Sequence, residues 1–316
     1  MKILYLVIPC YNEEEVLNDT ASELTKKMNK LIKDNKIAKN SKIMFVNDGS
    51  KDHTWDIICK LHEENSLISG VNLSRNKGHQ NALLAGLMTA KDYADITISM
   101  DADLQDDINV IDTMIEENNK GSNIVYGVRS SRKKDSFFKK HTAQAFYKLM
   151  KFFGVDIIYN HADCRLMDKK SLEALSSFKE VNLFLRGIVP LIGYKSSIAY
   201  YERGKRMKGE SKYPLKKMIS FAVDGITSFS VKPLRLIFSI GLIILIVSIG
   251  IMIYSLVVKL TGNTVPGWTF LTISIWFIGG LQMLSIGIIG EYIGKIYNET
   301  KERPRYIIDE VLNSDK

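Results

Sequence analysis

The sequence predicts an α/β domain on a mostly parallel sheet, followed by an amphipathic helix at a membrane surface and two helices that cross the membrane. Three observations predict it. Short apolar runs alternate with stretches of three- and four-residue apolar spacing through the first two thirds of the chain, the strand–helix–strand order of a parallel sheet covered on both faces. Residues 236–258 and 268–290 are two runs of 23 residues, each without a charge, against the ~20 needed to cross a bilayer. Between these parts, Leu215, Met218, Ile219, Ala222, Val223, Ile226 and Phe229 recur at helical intervals beside Lys216 and Lys217.

Strands are expected at residues 3–9, 42–47, 68–73, 95–100 and 123–128, and helices at 14–33, 54–64, 79–90 and 110–118. The opening run behind Lys2 imitates a secretory leader, but six apolar residues are too few and Glu13, Glu14 and Glu15 follow at once, so it reads as a buried first strand. The chain thus divides into a first domain at 1–202, a basic loop with the interfacial helix at 203–235, spans at 236–258 and 268–290, and a tail at 291–316. Lys216, Lys217, Lys232 and Arg235 precede the first span and Lys295, Lys301, Arg303 and Arg305 follow the second, whereas the connection carries one Lys. Such asymmetry puts the first domain and the C-terminal tail on the cytoplasmic side of a cell membrane.

The net charge of +8 is concentrated. Residues 203–235 hold nine Lys or Arg against two acids, and residues 129–140 six against one, so the rest of the chain is mildly acidic. A nucleic-acid partner is not expected; anionic lipid or phosphate at two places is. Cys10, Cys59 and Cys164 lie far apart without metal-ligand spacing, which excludes a disulfide scaffold and a zinc site.

In an α/β sheet ligands bind beyond the carboxyl ends of the strands, and the polar clusters fall there. Pro9, Cys10, Tyr11, Asn12, Glu13 and Glu14 form the first turn, able to wall a base or ribose, although Asn-Glu-Glu is also an ordinary helix start. Asp48 in Val46-Asn47-Asp48-Gly49-Ser50 could accept from a nucleoside, and Asp-Gly-Ser is equally a plain turn. Arg75 and Lys77, with Gly78 before a helix, suit a phosphate-bearing ligand; the spacing is neither a P-loop nor a dinucleotide fingerprint. His79 reads as a capping or packing residue. Most specific is Asp101-Ala102-Asp103-Leu104-Gln105-Asp106, whose carboxylates at i and i+2 and amide oxygen at i+4 are hard donors for Mg2+ or Mn2+.

Together with Ala162-Asp163-Cys164-Arg165-Leu166-Met167, the run Arg203, Arg206, Gly209, Ser211, Lys212 and Tyr213, and Asp224-Gly225-Ile226 before Pro233-Leu234-Arg235, these turns resemble the membrane-anchored polyprenyl-phosphate glycosyltransferases of glycosyltransferase family 2. That group includes dolichyl-phosphate mannose synthases and bactoprenol glucosyltransferases. The resemblance runs through almost the whole chain in order and departs at Cys164, where the family usually has Phe. It implies a GT-A-type, Rossmann-like catalytic domain and an inverting transfer of sugar from a nucleotide sugar to polyprenyl phosphate. Pro9, Tyr11, Glu13 and Asp48 would hold the nucleoside, and Asp101, Asp103 and Gln105 the metal and diphosphate. Asp163 would sit at the reacting sugar, with Asp103 the second catalytic acid. Arg75, Lys77, Arg206, Ser211 and Lys212 would serve the donor, while Arg129, Arg132 and Arg203 would contact the lipid phosphate. The two-span pattern is most similar to the bacterial glucosyl branch, which favours UDP-glucose or UDP-N-acetylglucosamine as donor.

Two other functions share parts of this pattern. A processive polysaccharide synthase would carry Gln-x-x-Arg-Trp, and none of Trp55, Trp268 or Trp276 follows an Arg. A silent nucleotide-sugar sensor would not need Asp101, Asp103 and Asp163 together. Gly279, Gly280, Gly287 and Gly290 could pack the spans against another copy of the chain.

Overall fold

The computed structural model describes residues 1–130, 152–153, 161–202, 225–228, 230–261 and 267–313. Arg132, Arg203, Arg206, Ser211 and Lys212, and nearly all of the expected interfacial helix, lie outside the described residues.

Four strand–helix units open the chain: β1 (Leu4–Cys10), α1 (Leu17–Lys33), β2 (Lys42–Asn47), α2 (Thr54–Glu64), β3 (Ile68–Leu73), α3 (His79–Ala90), β4 (Ile96–Ser99) and α4 (Val110–Asn119). They continue into β5 (Ile124–Arg129), β6 (His161–Asp168), α5 (Lys169–Ser176), α6 (Leu185–Leu191) and β7 (Ser196–Tyr201). Two long helices follow, α7 (Lys232–Leu260) and α8 (Trp268–Thr300), and then β8 (Ile308–Leu312).

Alternation along β1 shows how the layers form. Leu4, Leu6 and Ile8 point into a core shared with Leu17, Ala21, Leu24, Met28 and Leu31 of α1, Ile58 of α2 and Ile111 of α4. Tyr5 and Val7 point the other way, to Ala82 and Ala85 of α3, Leu172 of α5 and Ile188 of α6. α3 comes especially close, because a Cβ on Gly86 would stand 2.5 Å from side-chain carbons of both Val7 and Val46. α4 is tied to α1 by Lys27, whose buried side chain donates to Asp112 and to Asn109 Oδ1 (3.1 Å), while Lys36 reaches Asp112 at 2.9 Å.

The strand order is β7-β5-β6-β4-β1-β2-β3-β8. The expected β1–β5 are present within a residue or two of their predicted bounds. β4, β1, β2 and β3 are parallel, as is the β5/β7 pair; β6 runs antiparallel to both its neighbours and β8 antiparallel to β3. The sheet is therefore mixed, with four parallel strand pairs and three antiparallel ones. The reversal of β6 matters most, since its beginning meets the end of β4, with Arg165 opposite Ser99.

α7 and α8 are both long and apolar enough to cross a membrane, and Phe238, Ile243, Phe277 and Met283 are exposed along them. α8 runs ten residues beyond the predicted limit at 290, and the segment read as a tail returns to the first domain. There β8 closes the sheet edge, Val71 opposite Val311 and Gly70 opposite Leu312.

Candidate active site

The site is assembled from loops leaving the carboxyl ends of β1, β2, β3 and β4 and from the start of β6. The first two loops are zipped together by backbone and side chain. Asn12 Oδ1 accepts from the Lys51 amide at 2.9 Å, Ser50 Oγ from the Asn12 amide at 3.0 Å, and Thr54 Oγ1 from the Glu13 amide at 2.9 Å. Asn12 has φ +54°, a left-handed conformation that asparagine tolerates. Pro9 is buried opposite Val46 in the ladder, where Tyr11 just beyond it stays open to solvent.

Asp48 is buried, and its two oxygens accept from the backbone amides of Lys77 (2.7 Å) and Gly78 (2.9 Å). Burial raises its pKa and the two amides oppose that rise. It therefore fastens the third loop to the second. Gly49, at φ +58°, allows the approach: a Cβ there would lie 2.5 Å from backbone atoms of Arg75 and Asn76. Arg75 is exposed and Lys77 half-buried on the braced loop.

The acid loop after β4 is held by the Thr20 hydroxyl, which donates to the Ala102 carbonyl at 2.7 Å. Within it Asp103 Oδ1 accepts from the Gln105 amide at 3.2 Å, and Leu104 sits at φ +49°. A leucine in that region is strained by about 1–2 kcal/mol, which the packing of Leu104 against the core offsets. Asp106 is buried and paired with Arg129 at 3.4 Å. Arg129, which the resemblance gives to the lipid phosphate, pairs here with Asp106 of the acid loop.

Opposite stands Asp163. Ser99 Oγ donates to its carbonyl at 2.5 Å, fixing the start of β6 on β4. Its carboxylate receives a two-pronged bond from Arg186 of α6, Nε to Oδ1 at 3.0 Å and a terminal nitrogen to Oδ2 at 2.9 Å. Burial pushes the Asp163 pKa up, but the Arg186 charge and hydrogen bonds outweigh it and hold the carboxyl well below the usual range. His79 Nε2 lies 3.8 Å from Asp101 and 3.7 Å from Asp163. The structure places this histidine, read as a capping or packing residue, at the first residue of α3 and between the two acids. Asp101 is pushed up to about 6, by burial first, with His79 opposing and the charges of Asp163, Asp106 and Asp103 adding to the rise.

That crowding is a test of fit for a divalent ion. Carboxylates gathered faster than cations can neutralise them, with an amide oxygen nearby, are a hard-donor set suited to Mg2+ or Mn2+. Among the described residues no three His, Cys, Asp or Glu side chains are grouped so that they alone could hold a metal ion. Asp101, Asp103 and Gln105 would hold such an ion and leave positions for a ligand's oxygens. Cys164, where the resemblance breaks, is buried in the core on the far face of β6, and burial raises its thiol pKa well above the ordinary value. The departure leaves Asp163 untouched.

Residues 5–176 match the model of Glycosyl transferase family 2, and residues 232–296 that of the GtrB C-terminal hairpin. The chain belongs to glycosyl transferase family 2. It is 54% identical over 307 residues to the uncharacterized glycosyltransferase YkoT of Bacillus subtilis, covering 97% of this chain and 91% of that one. It is 40% identical to the prophage bactoprenol glucosyl transferase homolog of Escherichia coli, covering 97% and 98%, and 40% identical to the bactoprenol glucosyl transferase of Shigella phage SfV, covering 96% and 97%.

Proposed function

We propose that this glycosyltransferase moves a sugar, glucose or N-acetylglucosamine, from its UDP donor to a polyprenyl phosphate at the cytoplasmic face of the membrane. The observation that carries the proposal is the juxtaposition of the Asp101–Asp103 loop with the Arg186-held Asp163, in a chain that continues beyond β7 into two long apolar helices. Likeness to bactoprenol glucosyl transferases over nearly the full length supports a prenyl acceptor.

In the reaction, an oxygen of the acceptor phosphate forms a bond to the anomeric carbon while the bond to the diphosphate oxygen breaks. The electron pair leaves with the nucleoside diphosphate, and one displacement inverts the centre. A phosphate monoester is largely ionised at pH 7, so the acceptor needs no strong base. Asp163, kept anionic by Arg186, orients the sugar and stabilises the positive charge that develops at its anomeric carbon. Mg2+ or Mn2+, when bound by Asp101, Asp103 and Gln105, supplies charge neutralisation for the departing diphosphate. Tyr11 and Glu13 border the nucleoside, Asp48 and Gly49 keep the Arg75–Lys77 loop beside the phosphates, and Arg206, Ser211 and Lys212 complete the donor site. Arg132 and Arg203 meet the lipid phosphate where the basic segments approach anionic headgroups.

Purified full-length chain in lipid vesicles, mixed in turn with radiolabelled UDP-glucose and UDP-N-acetylglucosamine, with undecaprenyl phosphate and Mg2+ or Mn2+, tests this. A labelled, chelator-sensitive prenyl product is expected. Turnover of the donor without prenyl acceptor, or no use of either substrate, overturns it.

A further inference from the structure

α8 ends outside the apolar stretch, and its last turns carry polar side chains that grip the catalytic domain. Lys295 Nζ donates to Ser228 Oγ at 3.1 Å, and the Lys295 carbonyl accepts from Asn182 Nδ2 at 3.4 Å. One turn on, the Glu299 carboxylate accepts three hydrogen bonds, from the Val181 amide (2.8 Å), the Asn182 amide (2.8 Å) and Asn182 Nδ2 (2.7 Å). Just past the helix, Arg305 donates to the Phe178 carbonyl at 2.8 Å. A half-buried carboxylate receiving two consecutive backbone amides and a side-chain amide is a strong, geometrically specific clasp.

The clasped segment leads straight to the site. Four residues after Asn182 comes Arg186, which holds Asp163. The residues between have little room to swing: Phe184 and Leu185 are buried, and the Leu185 amide donates to Gln80 Oε1, next to His79, at 2.8 Å. A shift of the 181–182 turn is therefore passed to the root of α6 and to its arginine.

We infer that Glu299 is a positioning residue for sugar transfer, fixing the 181–182 turn to the exit of the second long helix and thereby setting where Arg186 holds Asp163. The inference rests on the function proposed above. It gives the helix a task besides anchorage: the reacting carboxylate takes its position from the element that emerges from the bilayer, where a prenyl acceptor would lie.

The test compares full-length wild type, E299Q, E299A, R186A and the double variant R186A/E299Q in vesicles with UDP-glucose and undecaprenyl phosphate, with E302Q as a control on an exposed neighbour. E299Q is expected to lower kcat on the order of 10- to 100-fold, as a misplacement of about an ångström does, with the donor KM within about twofold and the thermal transition nearly unmoved. E299Q should cost no further activity in the R186A background, because both act through one path. Amide hydrogen exchange at 181–188 should quicken in E299Q, a readout independent of substrate identity. Wild-type activity in E299Q, additive losses in the double variant, or unchanged exchange overturns the inference. A wild-type chain that makes no prenyl product overturns the functional reading instead, and the exchange comparison still decides whether Glu299 positions the Arg186 segment.

Discussion

Asp163 and Arg186 are 23 residues apart, and the reversal of β6 with the placement of α6 brings them into a two-pronged bond. Arg186→Ala leaves Asp163 half-buried beside other acids without its chief counter-charge, and is expected to reduce transfer at least about tenfold. Turnover under saturating donor checks this, and unchanged kcat would refute the role given to the pair. Asp103→Ala removes a donor from the acid loop and is expected to cost on the order of 100-fold or more in product formed, read with metal in excess. The acid loop was legible in the sequence because its donors are adjacent along the chain. Asp163 stands out only through the family resemblance, His79 reads from sequence as a capping or packing residue, and Arg186 carries no sequence signal. No local spacing announces a residue whose partner is delivered by another strand or helix.

Elements were legible where pattern and packing agree. α1 shows its apolar stripe because one face meets the sheet and the other water, and β1–β4 announce themselves as apolar runs buried on both faces. β6 and β7 carry no such pattern: β6 holds Asp163, Arg165 and Asp168 inside a sheet, and β7 alternates exposed and buried positions at an edge. Two element contacts yield tests. Gly86→Ala drives a methyl group into Val7 and Val46, so α3 must shift. A loss of about 1–3 kcal/mol in denaturant unfolding is expected, and an unchanged midpoint would contradict the close approach. The α1–α4 tie is pH-dependent. Burial pushes the Asp112 pKa up, but hydrogen bonds and charge from Lys27 and Lys36 outweigh this and lower it. A depressed carboxyl stabilises the fold above its unfolded pKa of about 3.9 and loses that contribution as pH falls through the folded value. Asp112→Asn should therefore cost about 1–2 kcal/mol at pH 7, discounted for partial exposure, and the gap from wild type should close in acid. A gap that persists at pH 2 would remove the ionic explanation.

On the scale of the whole molecule, the chain leaves the catalytic sheet, forms two long apolar helices and comes back to seal the sheet at β3. This return could not be read from sequence, since Ile308-Asp309-Glu310-Val311-Leu312 is short, half-polar and follows a charged stretch. Removing residues 305–316 takes away β8 and the Arg305 bond to Phe178. The shortened chain is expected to unfold at lower temperature in detergent and to aggregate through the bared β3 edge. An unaltered transition would mean that β8 adds nothing to the sheet. The same return also imposes a timetable on biogenesis. β3 leaves the ribosome well before β8 exists, so the nascent domain waits with a raw strand margin until both apolar helices have been made. Sealing comes last, and a chain that stops short of β8 carries an unpaired strand edge to the chaperones and proteases that sort failures from finished enzyme.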